Sequence, residues 1–168
     1  MNPWPLVRRF FEEDDGSLPD IFIENLSVET MEAVYALLLQ QSSDDVRGYA
    51  AWSPEFEREV PLSELESPVR AHSTGKIDSF RQPLIGLKVD GVELPWLTVC
   101  IESSCISLDY RKGPEWCEAN VRALFELLRS VRRIASLSHI YRAEEGQFDN
   151  PSPEFSEAFE LFLLPRRL

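Results

Sequence analysis

The stretch from residue 83 to residue 137 constrains the fold more than any other part of the chain. It contains two successive β-hairpin patterns, followed by the pattern of one long amphipathic helix. Asp90-Gly91 between alternating apolar residues predicts a tight turn in a hairpin over residues 84–94. Ser103-Ser104 lies at the centre of a second hairpin over residues 97–110, in which three apolar cross-strand pairs share one face. Both hairpins predict antiparallel sheet.

The two hairpin patterns are out of phase with each other. The apolar side chains are even-numbered at Val92 and Leu94 but odd-numbered in the strand that begins at Leu97. Pro95-Trp96 lies where the phase changes, and proline within a sheet is confined to edges, strand starts and bulges. The sequence therefore predicts a bulge or a strand break at this dipeptide.

A helix over residues 114–137 is predicted by an apolar stripe with helical spacing. Gly113-Pro114 marks its start, because proline at the first helical position loses no hydrogen bond. Glu115 near the start and Arg133 near the end match the helix dipole. The stripe consists of Cys117, Val121, Leu124, Leu128, Val131 and Ala135. Such a stripe is typical of a helix that packs on a sheet face.

Together these elements predict an α+β fold, namely a two-layer sandwich with a mostly antiparallel sheet. We expect about five to seven strands, with helices at about residues 28–41 and 114–137 packed on the sheet. Ser27 is a favourable N-cap for the first of these helices. The chain has 168 residues without an internal repeat or a long linker, so we expect one globular domain over residues 1–168.

The last apolar segment, residues 155–164, fits two kinds of structure. Its phenylalanines have helical spacing after Ser152-Pro153, but an alternating strand ended by Pro165 fits equally. We favour a strand that closes the sheet, because a predicted strand at residues 138–142 needs a neighbour.

The segment between residues 42 and 80 also permits more than one interpretation. Residues 48–52 fit a short strand, and residues 55–60 fit an edge strand protected by charge. A helical turn from Ser53 is the alternative for the second of these. Residues 71–79 have the composition of a loop.

Charge is distributed unevenly along the chain. The net charge is −12, and residues 1–68 contain 15 acidic and 4 basic side chains, whereas residues 69–168 contain 14 and 13. Such a field disfavours nucleic acids and anionic membranes as partners and is compatible with a basic protein partner. Solubility is the simpler explanation of the same charge. The acids that we predict to contact a partner are Glu12, Glu13, Asp14, Asp15, Asp44, Asp45, Glu55, Glu57 and Glu59.

The sequence lacks the motifs of common cofactor and metal sites. It has no glycine-rich phosphate loop, no dinucleotide-binding fingerprint and no CxxC pair, so no cofactor or metal is expected. His72, Ser73 and Asp78 are residue types of a hydrolytic triad, but a GxSxG motif is missing, which favours a loop without catalysis. Three cysteines without a pairing pattern indicate a reducing cytoplasm, and no apolar run is long enough to span a bilayer.

Two hypotheses of function follow from these features. The first is a small acidic cytoplasmic interaction protein, such as an immunity protein that inhibits a basic toxin or a secretion chaperone. The alternative is a small enzyme or ligand-binding domain with its site in the loops at the edge of the sheet. Its candidate residues, reactive types near strand ends, are Cys105, Asp109, Tyr110, Arg111 and His139. The missing catalytic motifs favour the first hypothesis.

Overall fold

The computed structural model of the protein describes residues 2–43 and 48–165. Its helices within these ranges are α1 Trp4–Val7, α2 Val28–Gln41, α3 Pro68–Ser73, α4 Glu118–Ile134 and α5 Pro153–Leu163. Its strands are β1 Asp20–Glu24, β2 Ala50–Ser53, β3 Arg58–Pro61, β4 Phe80–Pro83, β5 Lys88–Val89, β6 Val92–Glu93, β7 Leu97–Glu102, β8 Cys105–Tyr110 and β9 His139–Ala143. Asp44 and Asp45, two of the acids predicted to contact a partner, lie outside the described residues.

Five strands form the main sheet in the order β4-β7-β8-β1-β9, and every neighbouring pair is antiparallel. Although β1 comes early in the chain, it lies between β8 and β9, where Ile21 and Ile23 are fully buried. The pairs β2-β3 and β5-β6 form two small separate sheets. The predicted α+β fold with a mostly antiparallel sheet is therefore confirmed.

The second predicted hairpin forms with the expected register. Leu97 lies opposite Tyr110, and Glu102 lies opposite Cys105 at the end of the ladder. Ser103 and Ser104 form the two-residue turn, in which Ser104 has a positive φ of 57°. The carbonyl of Ser104 accepts a hydrogen bond from the Leu26 N–H at 3.1 Å, so contacts beyond the hairpin hold a turn of unfavourable sequence.

The first predicted hairpin also has its expected register, with Val89 opposite Val92. Asp90 and Gly91 both have a positive φ, of 50° and 80°, as a tight primed turn requires. This hairpin is not part of the main sheet, because the chain leaves strand geometry between β6 and β7 at Pro95-Trp96. The predicted break is confirmed, and the hairpin packs against α4 instead.

The predicted start of the long helix at Pro114 is wrong, because α4 begins at Glu118 and ends at Ile134. Residues 113–117 form a turn that carries Trp116 into the core, where it is only 2% exposed. Its ring contacts Phe11, with centroids 5.0 Å apart, and its Nε1 donates to the Arg111 carbonyl. The free energy gained by burying this tryptophan exceeds the small intrinsic preference of these residues for a helix.

Cys117 is consequently the N-cap of α4 and is exposed, so it does not belong to the apolar stripe. Asn120 completes the cap, because its Oδ1 accepts from the Cys117 N–H at 3.2 Å. The Asn120 amide also donates to the Glu93 carbonyl at 2.9 Å, which ties the start of α4 to the β5-β6 hairpin.

The strand predicted for residues 155–164 is wrong, because this segment forms α5. Helical geometry directs Phe155, Phe159 and Phe162 to one side, where all three rings pack around Phe125 of α4. A strand would direct Phe162 to the opposite face from Phe155 and Phe159. Packing on α4 thus selects the helix over a pattern that permits both.

The middle of the chain forms a hairpin and a short helix. β2 pairs with β3 and places Trp52 opposite Glu59, so the strand predicted over residues 48–52 is confirmed. The strand predicted over residues 55–60 is wrong in its first half, because residues 55–57 form the turn and β3 begins at Arg58. The loop predicted for residues 71–79 is wrong at its start, because α3 extends to Ser73. Ser67 caps this helix by accepting a hydrogen bond from the Arg70 N–H at 3.1 Å.

The main sheet has one covered face and one open face. On the covered face, alternate strand residues such as Ile21, Val99 and Leu108 share a single hydrophobic cluster with residues of α2, α4 and α5. Tyr35 of α2 meets the ring of Phe80 edge-on, with centroids 6.0 Å apart. The opposite face is lined by strand residues and by the loops before β1 and after β9.

Candidate binding cleft

Cross-strand register places five residues side by side across the middle of the open face. They are Arg81 on β4, Cys100 on β7, Ser107 on β8, Phe22 on β1 and Tyr141 on β9. The two in the centre, Cys100 and Ser107, are small, whereas the residues at both ends are large. Short side chains in the middle of this central row and long side chains at its ends therefore leave a depression in the open face.

Acidic residues flank the central row on both sides. Glu102 and Glu24 lie on one side, each two residues along its strand from a member of the row, Cys100 and Phe22 respectively. Asp109 and Asp20 lie on the other side, where the register places them directly opposite each other. The sheet thus presents carboxylates on both sides of the depression in the central row.

Two loops border this depression and together with it form a cleft of about 510 Å³. The loop before β1 contributes Leu18, and the loop after β9 contributes Glu145, Gly146 and Phe148. The Glu145 carboxylate accepts a hydrogen bond from the Leu18 N–H at 3.0 Å, which connects the two loops. Phe148 is 67% exposed, so the rim offers apolar surface to solvent.

The cleft has an excess of negative charge. Among the described residues that line it, one guanidinium faces four carboxylates, those of Asp20, Glu24, Glu102 and Glu145. The guanidinium belongs to Arg81, which forms an ion pair with the buried carboxylate of Asp109. Burial raises the pKa of Asp20 above its usual value; Arg81 opposes this shift, and Glu102 and Glu145 add to it.

Aromatic rings form one end of the cleft. The rings of Phe22 and Tyr141 stack, with centroids 5.1 Å apart and an interplanar angle of 23°. The Tyr141 hydroxyl donates to the Glu24 carboxylate at 2.8 Å, and burial and this hydrogen bond raise the pKa of the phenol. Tyr141 therefore stays protonated at neutral pH and holds Glu24 in place.

The two cysteine thiols of the open face are poor nucleophiles. Burial raises the pKa of Cys100 to about 11 and that of Cys105 to about 12, and the nearby Glu102 carboxylate adds to both shifts. A thiol reacts as its thiolate, and at neutral pH both groups stay protonated. The arrangement therefore favours binding over thiol catalysis.

The residues considered for an enzyme are divided between the two faces. Cys105, Asp109 and His139 lie on the open face, with Asp109 engaged by an arginine. Tyr110 lies in the core, where its hydroxyl donates to the Phe10 carbonyl at 2.9 Å. Arg111 pairs with an aspartate of the N-terminal segment. The structure does not bring these five residues together.

The N-terminal acids predicted to contact a partner are mostly paired within the protein. Glu12 forms an ion pair with Arg8 at 2.6 Å, Asp14 with Arg111 at 2.9 Å, and Asp15 with Lys112 at 2.5 Å. A hydrogen bond from the Gly16 N–H and the Arg111 guanidinium lower the pKa of Asp14, and the Lys112 ammonium lowers that of Asp15. Glu13 is exposed beside them.

The remaining predicted acids lie together on the β2-β3 hairpin. Glu55, Glu57 and Glu59 are all exposed on its turn and second strand. Two large apolar side chains are exposed beside them, Trp52 at 48% and Phe56 at 59%. This hairpin is thus a second surface that combines carboxylates with aromatic rings.

The fold and the cleft define the class of this protein: an α+β sandwich whose sheet has an acidic, aromatic cleft on its open face. Comparison of the chain with protein-family models, curated proteins and solved structures finds no match. In the described part of the chain, no cluster of three His, Cys, Asp or Glu side chains is arranged to hold a metal ion. None of the described helices is both long enough and apolar enough to cross a bilayer.

Sequence reasoning missed the cleft residues of β1 and β9, namely Asp20, Phe22, Glu24 and Tyr141. The alternation around Ile21 and Ile23 was a usable signal, because it sends the three β1 residues to the face opposite the core. The position of β1 between β8 and β9 had no local signal, and it is this position that brings Phe22 next to Ser107 and Tyr141.

Replacing Asp20 by asparagine is expected to stabilise the fold. Burial raises the pKa of this carboxyl, so the folded state favours the protonated form. The corresponding part of the free energy of unfolding is present at low pH and is lost as pH rises through the folded-state pKa. Removing the charge should raise the free energy of unfolding by about 0.5 kcal/mol at about pH 7, a small value because the side chain stays partly solvated. Urea unfolding measures this gain, which should vanish at about pH 3. A loss of stability at neutral pH would contradict the electrostatic explanation.

Proposed function

We propose that this protein binds a basic protein partner through the open face of its main sheet. The observation that carries the proposal is the excess charge of the cleft, where Asp20, Glu24, Glu102 and Glu145 surround one already paired Arg81. Cations on a partner would neutralise these carboxylates. The field of a chain with a net charge of −12 would also accelerate encounters with a basic surface.

Exposed apolar side chains beside the charges support binding of a protein. Leu18 and Phe148 are exposed at the rim of the cleft, and Trp52 and Phe56 are exposed on the β2-β3 hairpin. Apolar and aromatic groups bordered by polar residues are typical of protein interfaces. The three glutamates of that hairpin would then contribute to a second contact with the same partner.

The role we propose is capture of a basic protein in the cytoplasm, as an immunity-type inhibitor of a toxin or as a secretion chaperone. Both roles need fast association and rejection of wrong partners, which electrostatic complementarity provides. The same negative field disfavours nucleic acids and anionic membranes. The raised thiol pKa values of Cys100 and Cys105 favour binding over the enzymatic alternative.

Affinity capture from the native host, at low and at high salt, is expected to return a basic partner whose binding weakens with salt. The purified partner is then titrated by calorimetry against the wild type and a Glu24→Gln/Glu102→Gln variant. We expect the double variant to weaken binding by about tenfold or more, because two carboxylates of the interface lose their charge.

A Glu64→Gln/Glu66→Gln variant is the matched control. It removes the same charge from exposed positions outside the main sheet, so its affinity should stay within about twofold of the wild type. The proposal fails if no basic protein is captured at low salt, or if the two double variants weaken binding equally.

A further inference from the structure

The floor of the cleft contains a largely buried serine whose hydroxyl has no partner within the described residues. Ser107 is 5% exposed and lines the cleft, and its hydroxyl makes no hydrogen bond with any residue that the structure describes. The residue is otherwise buried, but its oxygen stays accessible from the cleft and can accept a hydrogen bond from a group that enters it. A donor that reaches the floor between Cys100 and Phe22 would meet this oxygen.

The ring of Phe22 borders the same volume. One of its faces stacks on Tyr141. Because Phe22 stands between Tyr141 and Ser107 in the central row, its remaining face is directed towards the space above Ser107. The negative face of an aromatic ring attracts a cation within about 6 Å.

Carboxylates border this space from both flanks. Asp20 lies on one flank, and Glu24 and Glu102 lie on the other. Within residues 2–43 and 48–165, none of the three forms an ion pair with a lysine or arginine, and Glu24 lies 3.7 Å from the Nδ1 of His139. The best complement to such a space is a planar cation with several N–H donors, since one face meets a ring while the edges meet oxygens.

We infer that the cleft receives an arginine side chain of the basic partner, an inference that rests on the proposed function. A guanidinium is planar, has five N–H donors and stacks on aromatic rings, whereas an ammonium is a compact and strongly hydrated charge. In the cleft the guanidinium stacks on Phe22 and donates to Ser107 and Asp20, while Glu24 and Glu102 balance its charge. Arg81 forms its ion pair with Asp109, and although its charge also acts on Asp20, it makes no ion pair with the carboxylates of Asp20, Glu24 or Glu102 within the described residues.

An NMR titration of the full-length, ¹⁵N-labelled protein with Nα-acetyl-arginine amide tests this inference without the partner. We expect saturable shifts of the backbone amides of Phe22, Ser107 and Tyr141. Nα-acetyl-citrulline amide, a neutral compound of nearly the same shape, should cause no such shifts. Nα-acetyl-lysine amide should bind at least about threefold more weakly. Equal shifts with all three compounds, or no saturable shifts at these amides, overturn the inference.

Two variants separate recognition from folding. Asp20→Asn should weaken binding of the arginine derivative by about tenfold, because a charge-assisted hydrogen bond becomes a neutral one. This variant is expected to be more stable than the wild type, so unfolding cannot cause the loss. Phe22→Leu keeps a large apolar side chain and should remove the preference for arginine over lysine. Unchanged binding and unchanged preference in these variants also overturn the inference.

Failure of this inference is distinguishable from failure of the proposed function. If the partner binds with salt dependence and weakens in the Glu24→Gln/Glu102→Gln variant, the proposed function stands. If the arginine derivative then leaves the cleft unperturbed, and no single arginine-to-alanine change in the partner weakens binding, the arginine inference alone is overturned. If no basic partner binds, both are overturned.

Discussion

Replacing Phe125 by alanine should lower the free energy of unfolding by about 3 to 5 kcal/mol. The side chain is fully buried, and its ring meets Phe155, Phe159 and Phe162 edge-on, with centroids 5.3, 5.6 and 5.5 Å away. Truncation removes apolar burial and leaves a cavity where three rigid rings converge and cannot collapse. Because domains of this size are stable by about 5 to 15 kcal/mol, the variant should be close to unfolding.

Phe148→Ala is the matched control, since it removes the same atoms from a side chain that is 67% exposed. Its stability should stay within about 0.5 kcal/mol of the wild type, while its place at the rim makes it a useful variant for binding. Urea unfolding followed by circular dichroism measures both variants. A loss of less than about 1 kcal/mol for Phe125→Ala would mean that α5 does not pack on α4 as described.

Replacing Arg142 by alanine should also cost about 3 to 5 kcal/mol of stability. This arginine is fully buried on the covered face, where its Nε donates to the Tyr110 hydroxyl at 2.8 Å and its Nη1 donates to the Ser152 hydroxyl at 2.8 Å. Its guanidinium lies 4.5 Å from the centre of the Phe10 ring and 2.9 Å from a Glu144 oxygen. Removing it leaves a cavity and uncompensated polar groups.

Arg142→Met distinguishes lost packing from lost polar contacts. Methionine fills much of the same volume, so this variant should retain more stability than Arg142→Ala. Both variants should loosen the loop that follows β9, because Ser152 and Glu144 at its two ends contact the guanidinium. That loop carries Glu145 and Phe148 of the cleft. Limited proteolysis should therefore cut within residues 144–151 faster in both variants, and unchanged cleavage would contradict this role.

The hairpins could be predicted from the sequence because their determinants are local. Asp90-Gly91 adopts the two positive φ angles of a primed turn, and the apolar pairs from Leu97 to Tyr110 leave one register that buries them together. A slip by one residue would expose that entire set. The break at Pro95-Trp96 followed from the same phase argument.

The ends of the long helix and the nature of the last segment depended on distant contacts. Pro114 has a favourable local signal for a helix start. The helix nevertheless begins later, because Trp116 packs against Phe11, more than a hundred residues away in sequence. The segment 155–164 has a pattern that permits a helix or a strand, and the ring of Phe125 decides between them. Periodicity carries no information about such partners.

Local pattern and the alternation of side chains determined the α+β fold, the two hairpin registers and the face that each hairpin strand buries. Only the tertiary structure decided where the acidic charge acts. It pairs Glu12, Asp14 and Asp15 within the protein. It also inserts β1 between β8 and β9, so that Asp20 and Glu24 border one cleft. The physical reason is that the pairing of distant strands depends on burial of the whole core. The register of a hairpin and the face on which each of its side chains lies depend on neighbours in sequence.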